Sequence, residues 1–292
     1  MAAVAGFNST SANDLIKTEG IAAVILAANE TPRIFSSIAY VLDASANGAP
    51  TLRIVRWDSI NVPSGVKTET DEADYTSFTT SKADVTSGVV IVRSLLSDEL
   101  AQDASMTPEG GLARQLVAMS KRMDSDVLGL ITSATNTSDS TGSAITLDLW
   151  EAARSAYLAQ NPVIGASGFH SFVSTPKVIS KFQSLLRQAG GAGLVAAAGA
   201  MIFNKAPMAE YAGEYQGFQF FQGAAPANDA DNTSSAFLAA GDQGALAMGI
   251  WWAARPELIR VPGRTGTELV TSSRYGVTVS NQSNLREFIT LK

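Results

Sequence analysis

One histidine and no cysteine among 292 residues leave carboxylates, hydroxyls, lysines and a lone imidazole as the means of any chemistry. His170 stands between Phe169 and Phe172 in an apolar run. A histidine that activates a nucleophile needs a hydroxyl or thiol and an orienting carboxylate beside it, and the sequence sets neither at a fixed spacing. The plainer reading is a packing and hydrogen-bonding role. Glu69, Asp71, Glu72 and Asp74 form an acidic group without the alternating ligand positions and central glycine of a calcium loop, so it reads as a solvated or partner-facing run. The stretch GRTGTEL at 263–269 lacks the lysine that a phosphate loop places after its second glycine. Asn8, Asn29, Asn136, Asn232 and Asn281 begin Asn-x-Ser/Thr triplets, which without secretion mark only a Ser/Thr-rich surface. Trp251 and Trp252 read as core or interface anchors rather than a base-stacking platform. No catalytic, cofactor or metal constellation emerges.

Composition excludes more. Without cysteine there is no disulfide, thiolate zinc site or thiol nucleophile, and one histidine rules out imidazole clusters. With 46% hydrophobic and 16% charged residues the chain can bury a sizeable core. A net charge of -6 disfavours a surface built to grip nucleic-acid phosphates. The first ten residues lack the basic start of a signal peptide, and the apolar run 21–28 is too short to cross a bilayer, so no membrane partner is expected.

The elements that would position any site follow from periodicity. Leu112, Leu116, Met119, Met123, Val127 and Leu130 recur at steps of three and four, predicting one long amphipathic helix over 107–133, with Arg114, Lys121, Arg122 and Ser125 on its opposite face. Thr107 is placed to cap it, Pro108 suits the first helical position, and Glu109 suits the positive end of the dipole. Gly110 and Gly111 weaken the first turn, so regular helix is expected a residue or two later. Such a rod is about 35 to 40 Å long at 1.5 Å per residue. TLRIVRW at 51–57 and the run 85–96 predict two paired strands, the second apolar at 89–92 as if covered on both faces. The polar, acidic stretch 58–84 between them cannot form a core. It is expected to project as a ribbon that gains stability on another molecule. Residues 1–33 read as an arm ordered against a partner, apart from a short helix near 21–28.

A short helix at 97–103 precedes the long one, and the Ser/Thr/Asn/Gly stretch 132–143 marks a boundary. Residues 147–160 read as a helix, with Asp148 and Glu151 spaced like a capping box. A strand at 169–173 leads to a helix opened by Thr175 and Pro176, with Val178, Ile179, Phe182, Leu185 and Leu186 on one face. The glycine-alanine stretch 190–201 reads as a mobile loop. Strands are expected at 218–222, 236–240 and 245–252 around a mixed sheet, and at 256–261, 268–272, 275–280 and 287–291 as returns beside the long helix.

Taken in order, the arm, the ribbon between Thr51 and Val92, the phrase SLLSDELAQDA at 94–104, the long helix and the polar turn resemble the major capsid proteins of tailed bacteriophages with the Hong Kong 97-type fold. LWEAARSAYLAQNP at 149–162, FHSFVSTPKVISKFQSLLRQ at 169–188, GEYQGFQFFQGAAPA at 213–227 and FLAAGDQGALAMGIWW at 237–252 continue the resemblance over nearly the whole chain. It implies an α+β fold. Residues 1–50 correspond to the amino-terminal arm and lead-in, 51–93 to the extended β-hairpin loop, 94–143 to the peripheral domain with its spine helix, 144–255 to the axial domain, and 256–292 to return strands of the peripheral domain.

The function implied is self-assembly, not catalysis. Pentamers and hexamers would close an icosahedral shell around double-stranded DNA held without sequence-specific contacts. Scaffolding, portal and decoration proteins are the further partners, and the virion, after assembly in the host cytoplasm, is the location. Arg53, Arg56, Trp57, Lys67, Glu69, Asp71, Glu72, Asp74 and Lys82 fall on the extended loop and are the expected inter-subunit residues. Gly190, Gly191, Gly193 and Gly199 fall on a loop expected near the capsomer axis, where small residues let crowded copies differ in shape. The chain reaches the arm directly from Met1, which implies a separate scaffolding protein or none. Lys67 and Lys82 lie where some members form a lysine to asparagine cross-link, but the sequence offers no clear acid and asparagine partner for them. The rivals are an encapsulin-like bacterial nanocompartment, disfavoured by the long loop and the lack of an obvious cargo-peptide groove, a tail-tube or adaptor protein, and a carboxylate-dependent enzyme.

Overall fold

A computed structural model describes residues 34–46, 48–57, 80–99, 107–160, 162, 168–189, 211–223, 231–242, 244–261, 263 and 265–291. The short helix α1 (Ile34–Ile38) buries Ile34, Phe35 and Ile38 and runs into strand β1 (Ala39–Asp43). β2 (Thr51–Trp57) and β3 (Thr80–Thr86) pair antiparallel over seven rungs as a separate two-stranded ribbon. β4 (Gly88–Ser97) begins one residue later, after Ser87, in a different sheet. The pairing of 51–57 with 85–96 expected from sequence is therefore corrected: 80–86 is the return strand, and 88–97 leaves the ribbon.

The long helix α2 (Pro108–Gly129) starts where the sequence signals place it, with the Thr107 side chain accepting a hydrogen bond from the Gly110 amide. Regular helix begins at once, against the expected delay. Gly111 packs closely on the sheet, where an added β-carbon would make the Leu269 side-chain tip shift. The last turn tightens into a 3-10 segment at Leu130–Ser133. β5 (Thr137–Asp139) precedes α3 (Leu147–Leu158), which is capped by Thr146 through its side chain to the Leu149 amide. Asp148 is in the first turn, not at the cap expected for it. β6 (Phe169–Ser174), α4 (Pro176–Ala189), β7 (Tyr211–Tyr215) and β8 (Phe218–Gln222) follow. Gln216 and Gly217 join β7 to β8 with φ of 49° and 79°, the backbone a tight hairpin turn demands.

β9 (Asn232–Ala240) is buried at every position. It begins four residues earlier than expected because its polar start finds partners inside: Ser234 donates to Glu287 at 2.6 Å, and the hydroxyls of Ser235 and Ser174 meet at 2.6 Å. β10 (Leu246–Val261) is one strand where two were expected, at 245–252 and 256–261. Register shifts at Ile250/Trp252 and Trp252/Arg255 let it pass the interruption that Pro256 signals. β11 (Gly266–Val279) likewise merges two expected strands, and β12 (Leu285–Leu291) closes the chain.

Two larger sheets result. The order β1-β10-β11-β4 lies over α2, while β5-β12-β9-β6-β8-β7 forms the second sheet. The stretch 245–252 belongs with the first of these rather than with the mixed sheet predicted for it, and β12, expected beside the long helix, pairs with β9 and β5 in the second. One core joins α1, α2 and both sheets through residues such as Met119, Met123, Val127, Val173, Leu238 and Leu246. A second, rich in aromatic rings, lies between α3, α4 and the six-stranded sheet. Among the described residues no helix is long and apolar enough to cross a membrane.

Candidate assembly surfaces

Among the described residues the ribbon packs on the body of the protein near its base. Strand side chains alternate between faces, and Leu52, Ile54 and Val85 on one side pack around Trp251, whose Nε1 donates to the Ala49 carbonyl at 2.8 Å. Gly249 and Gly276 face each other across β10 and β11 below this contact. A β-carbon on Gly276 would lie 2.8 Å from the Thr86 carbonyl carbon, and one on Gly249 would lie 3.4 Å from Val85. Gly276 thus clears a slot for the base of the ribbon. Arg274 fixes the crossing: its Nε donates to the Ser87 hydroxyl at 2.9 Å, and its guanidinium lies 5.4 Å from the Trp252 ring.

The other side of the ribbon is open. Arg53 grips Asp84 with two hydrogen bonds of 2.8 and 3.1 Å, which hold the Asp84 carboxyl below the ordinary carboxylate range. Both groups face solvent, so screening leaves the pair little net stability. Val55 is 60% exposed and faces Lys82 across the ribbon. On the packed side, beyond Ile54, Arg56 donates to Ser81 at 3.3 Å. Trp57 forms the last rung with Thr80. Lys67, Glu69, Asp71, Glu72 and Asp74 lie outside the described residues, as do Gly190, Gly191, Gly193 and Gly199.

The ladder formed by β10, β11 and β4 has two unlike faces. Toward α2, Thr271 donates to Gln115 at 2.8 Å, Gln115 also bonds to Ser94 and the Leu269 carbonyl, and Tyr275 donates to Asp126 at 2.6 Å. Burial followed by the Asp126 contact pushes the Tyr275 phenol well above its usual range. Leu112, Leu116, Met119, Met123 and Val127 of α2 are buried, and Leu130 is half-buried beside them. Away from α2, cross-strand partners form rows: Leu95, Glu268 and Ile259; Ile91, Ser272 and Arg255; Val89 and Arg274. Val89, Ile91, Leu95 and Ile259 are 53%, 56%, 45% and 44% exposed. Among the described residues the apolar run in β4 is therefore covered on one face, a correction to the expectation of burial on both. Arg93 to Glu268 at 2.6 Å and Arg260 to Asp98 at 2.5 Å tie the far end of the ladder.

His170 lies away from these surfaces. Its ring stacks on Phe218 at 5.2 Å and its Nδ1 meets the Tyr157 hydroxyl at 3.2 Å. Burial, then the charge of Arg154, lowers its pKa below the usual histidine value. Burial raises the Tyr157 phenol far above its ordinary range, so this pair has no ready proton acceptor in the hydroxyl. Among the described residues no three of His, Cys, Asp and Glu gather in a cluster. Sequence reasoning missed the glycine slot, Arg274 and the ion pairs at the ladder end. Each joins segments far apart in the chain and carries no local signal.

Several solved structures share this architecture. The capsid of a native GTA particle, computed with C5 symmetry, matches with a TM-score of 0.61 and 14% identity over 90% of this chain and 94% of that one. The mature capsid of bacteriophage PhiM1 matches at 0.59 and 14% identity over 88% and 86%. A virus-like particle from Pyrococcus furiosus matches at 0.58 and 12% identity over 92% and 98%. The chain has a phage capsid fold. The α+β architecture matches that capsid fold over most of the chain. No family model matches the sequence, and no curated protein matches it.

Proposed function

We propose that the protein is the major capsid protein of a tailed bacteriophage, with the Hong Kong 97-type fold, and that its function is to assemble with copies of itself into an icosahedral shell around double-stranded DNA. The observation that carries this is the near end-to-end likeness to capsid chains, joined to a ribbon and a ladder face that one chain leaves open. A two-stranded ribbon is marginal alone in water, and obligate interfaces bury large apolar areas. Val55, Val89, Ile91, Leu95 and Ile259 supply apolar area for such contacts. The net charge of -6 suits a wall that contains DNA without holding each phosphate. On this reading the subunits form pentamers and hexamers. Scaffolding, portal and decoration proteins are the partners, the host cytoplasm is the place of assembly, and the chain turns over no substrate. The 58–79 tip with its acidic group reaches a neighbour, and the glycine-rich stretch from Gly190 lies near the capsomer axis.

Electron microscopy and light scattering of the purified protein test this directly. Closed shells of megadalton mass are expected, and a monodisperse monomer or small oligomer overturns the reading. A second reading, an encapsulin-like bacterial nanocompartment, is favoured by the likeness to the Pyrococcus furiosus particle. Nuclease-protected DNA in shells from infected cells supports the capsid, whereas shells holding enzymes and no DNA support the nanocompartment.

A further inference from the structure

A cleft of about 430 Å³ separates α4 from the end of β12 and the segment leading into α3. Its two walls differ in chemistry. α4 contributes Lys177, Ser180, Lys181 and Ser184, one helical turn apart in pairs, above Val178 at the floor. Ala144, Ile145 and Leu291 form the facing wall. Ile145 and Val178 are buried beneath, while Leu291 remains 37% exposed at the mouth. Among the described residues neither lysine has an acidic partner, although ion pairs are formed elsewhere on the surface. Ser184 donates its proton to the Lys181 carbonyl at 2.7 Å, which leaves its lone pairs free as acceptors.

A cationic wall opposite an apolar wall selects a ligand with the same division. Residues four apart on a helix place their β-carbons about 5–6 Å apart. In an extended peptide, side chains two residues apart point the same way at a spacing of about 6.6 Å, and the one between points oppositely. Carboxylates at alternate positions therefore match Lys177 and Lys181, while the intervening side chain meets Ile145 and Leu291. We propose that this cleft is a docking site for an extended acidic peptide segment in which carboxylates alternate with aliphatic residues. A nucleic-acid backbone offers anions but nothing for the apolar wall formed by Ala144, Ile145 and Leu291. Peptide supplied by a separate protein thus fits better than DNA. The inference stands apart from the shell reading, because binding is measured on the full-length protein whatever its state of assembly.

The test is a fluorescence-anisotropy titration with a labelled octapeptide alternating aspartate and leucine. Three comparison probes are used: the same peptide with asparagine for leucine, with lysine for aspartate, and a 12-base-pair DNA duplex. Saturable binding of the first probe is expected, at least tenfold tighter than each of the others. Lys177→Gln/Lys181→Gln should weaken it at least tenfold, and Leu291→Asn about threefold, with thermal midpoints unchanged. All three substitutions lie at exposed positions, so folding is retained for the comparison. No saturation up to millimolar peptide, equal binding of the asparagine peptide, equal or tighter binding of DNA, or indifference to the lysine variant each overturns the assignment.

Discussion

The aromatic core around α3 and the ladder under the ribbon are built on opposite principles. Trp150 is fully buried and has six ring neighbours at centroid distances from 5.2 to 6.4 Å, among them Phe172, Phe182, Phe220 and Phe237. That region closes on itself. Among the described residues the ladder buries one face under α2 and leaves the other to solvent, and the ribbon beyond it is held at its base. The same chain therefore contains a region whose packing is finished and one whose packing is half done. Stability should reside in the first and association in the second, so substitutions can separate the two properties.

The largest effect is expected in the finished region. Trp150→Ala removes the hub of the rings and should cost about 3–5 kcal/mol, read as a lower denaturation midpoint. A cost under 1 kcal/mol would mean that the aromatic cluster is not the stabilising unit. At the ribbon base, Gly276→Ala forces the Thr86 backbone away and should cost about 1–3 kcal/mol. Hydrogen exchange should show protection lost at 51–57 and 80–86 but kept in β6 and β9. Uniform loss across the molecule would break the distinction between the regions.

On the open ladder face, Val89→Asp with Ile91→Asp should change monomer stability by no more than about 0.5 kcal/mol per site. Particle yield by light scattering should nevertheless collapse, and assembly at wild-type yield would show that this face is not used. The smallest effect concerns acid. A histidine whose folded pKa is depressed takes up its proton more readily when unfolded, so stability is complete above the unfolded value of about 6.5 and falls as pH drops toward the folded pKa. Denaturation midpoints between pH 7 and 5 should fall less steeply for His170→Gln than for the parent chain. Identical slopes would show that His170 does not contribute to acid sensitivity.

The helices of both regions were legible from sequence because their signals are local. Thr107, Pro108 and the steps from Leu112 to Val127 mark α2, and the stripe from Val178 to Phe182 marks α4. The half-finished region was harder for physical reasons. TSKADVT at 80–86 has one buried side chain, Val85, so its strand character comes from hydrogen bonds to β2 rather than from an apolar pattern. The apolar run that follows absorbed Val85, and the switch at Ser87 is visible only once Arg274 is seen to hold it. β10 was divided because Pro256 ordinarily ends a strand, and its bulges appear only in the pairing. The polar opening of β9 looks like a turn until Ser174 and Glu287 supply partners from distant segments. The sequence marks part of the contact surface, since Arg53, Arg56 and Lys82 stand on the ribbon, whereas the exposed row in β4 reads as interior because a run of valines and isoleucine does not say which side is covered.

The single residue between β3 and β4 has a mechanical consequence. With no slack at Ser87, a pull along the ribbon passes straight into β4 and loads its ten rungs against β11 in shear. Those bonds must yield together rather than one after another, so strain arriving from outside is spread along the full ladder and met at the floor of the molecule by α2.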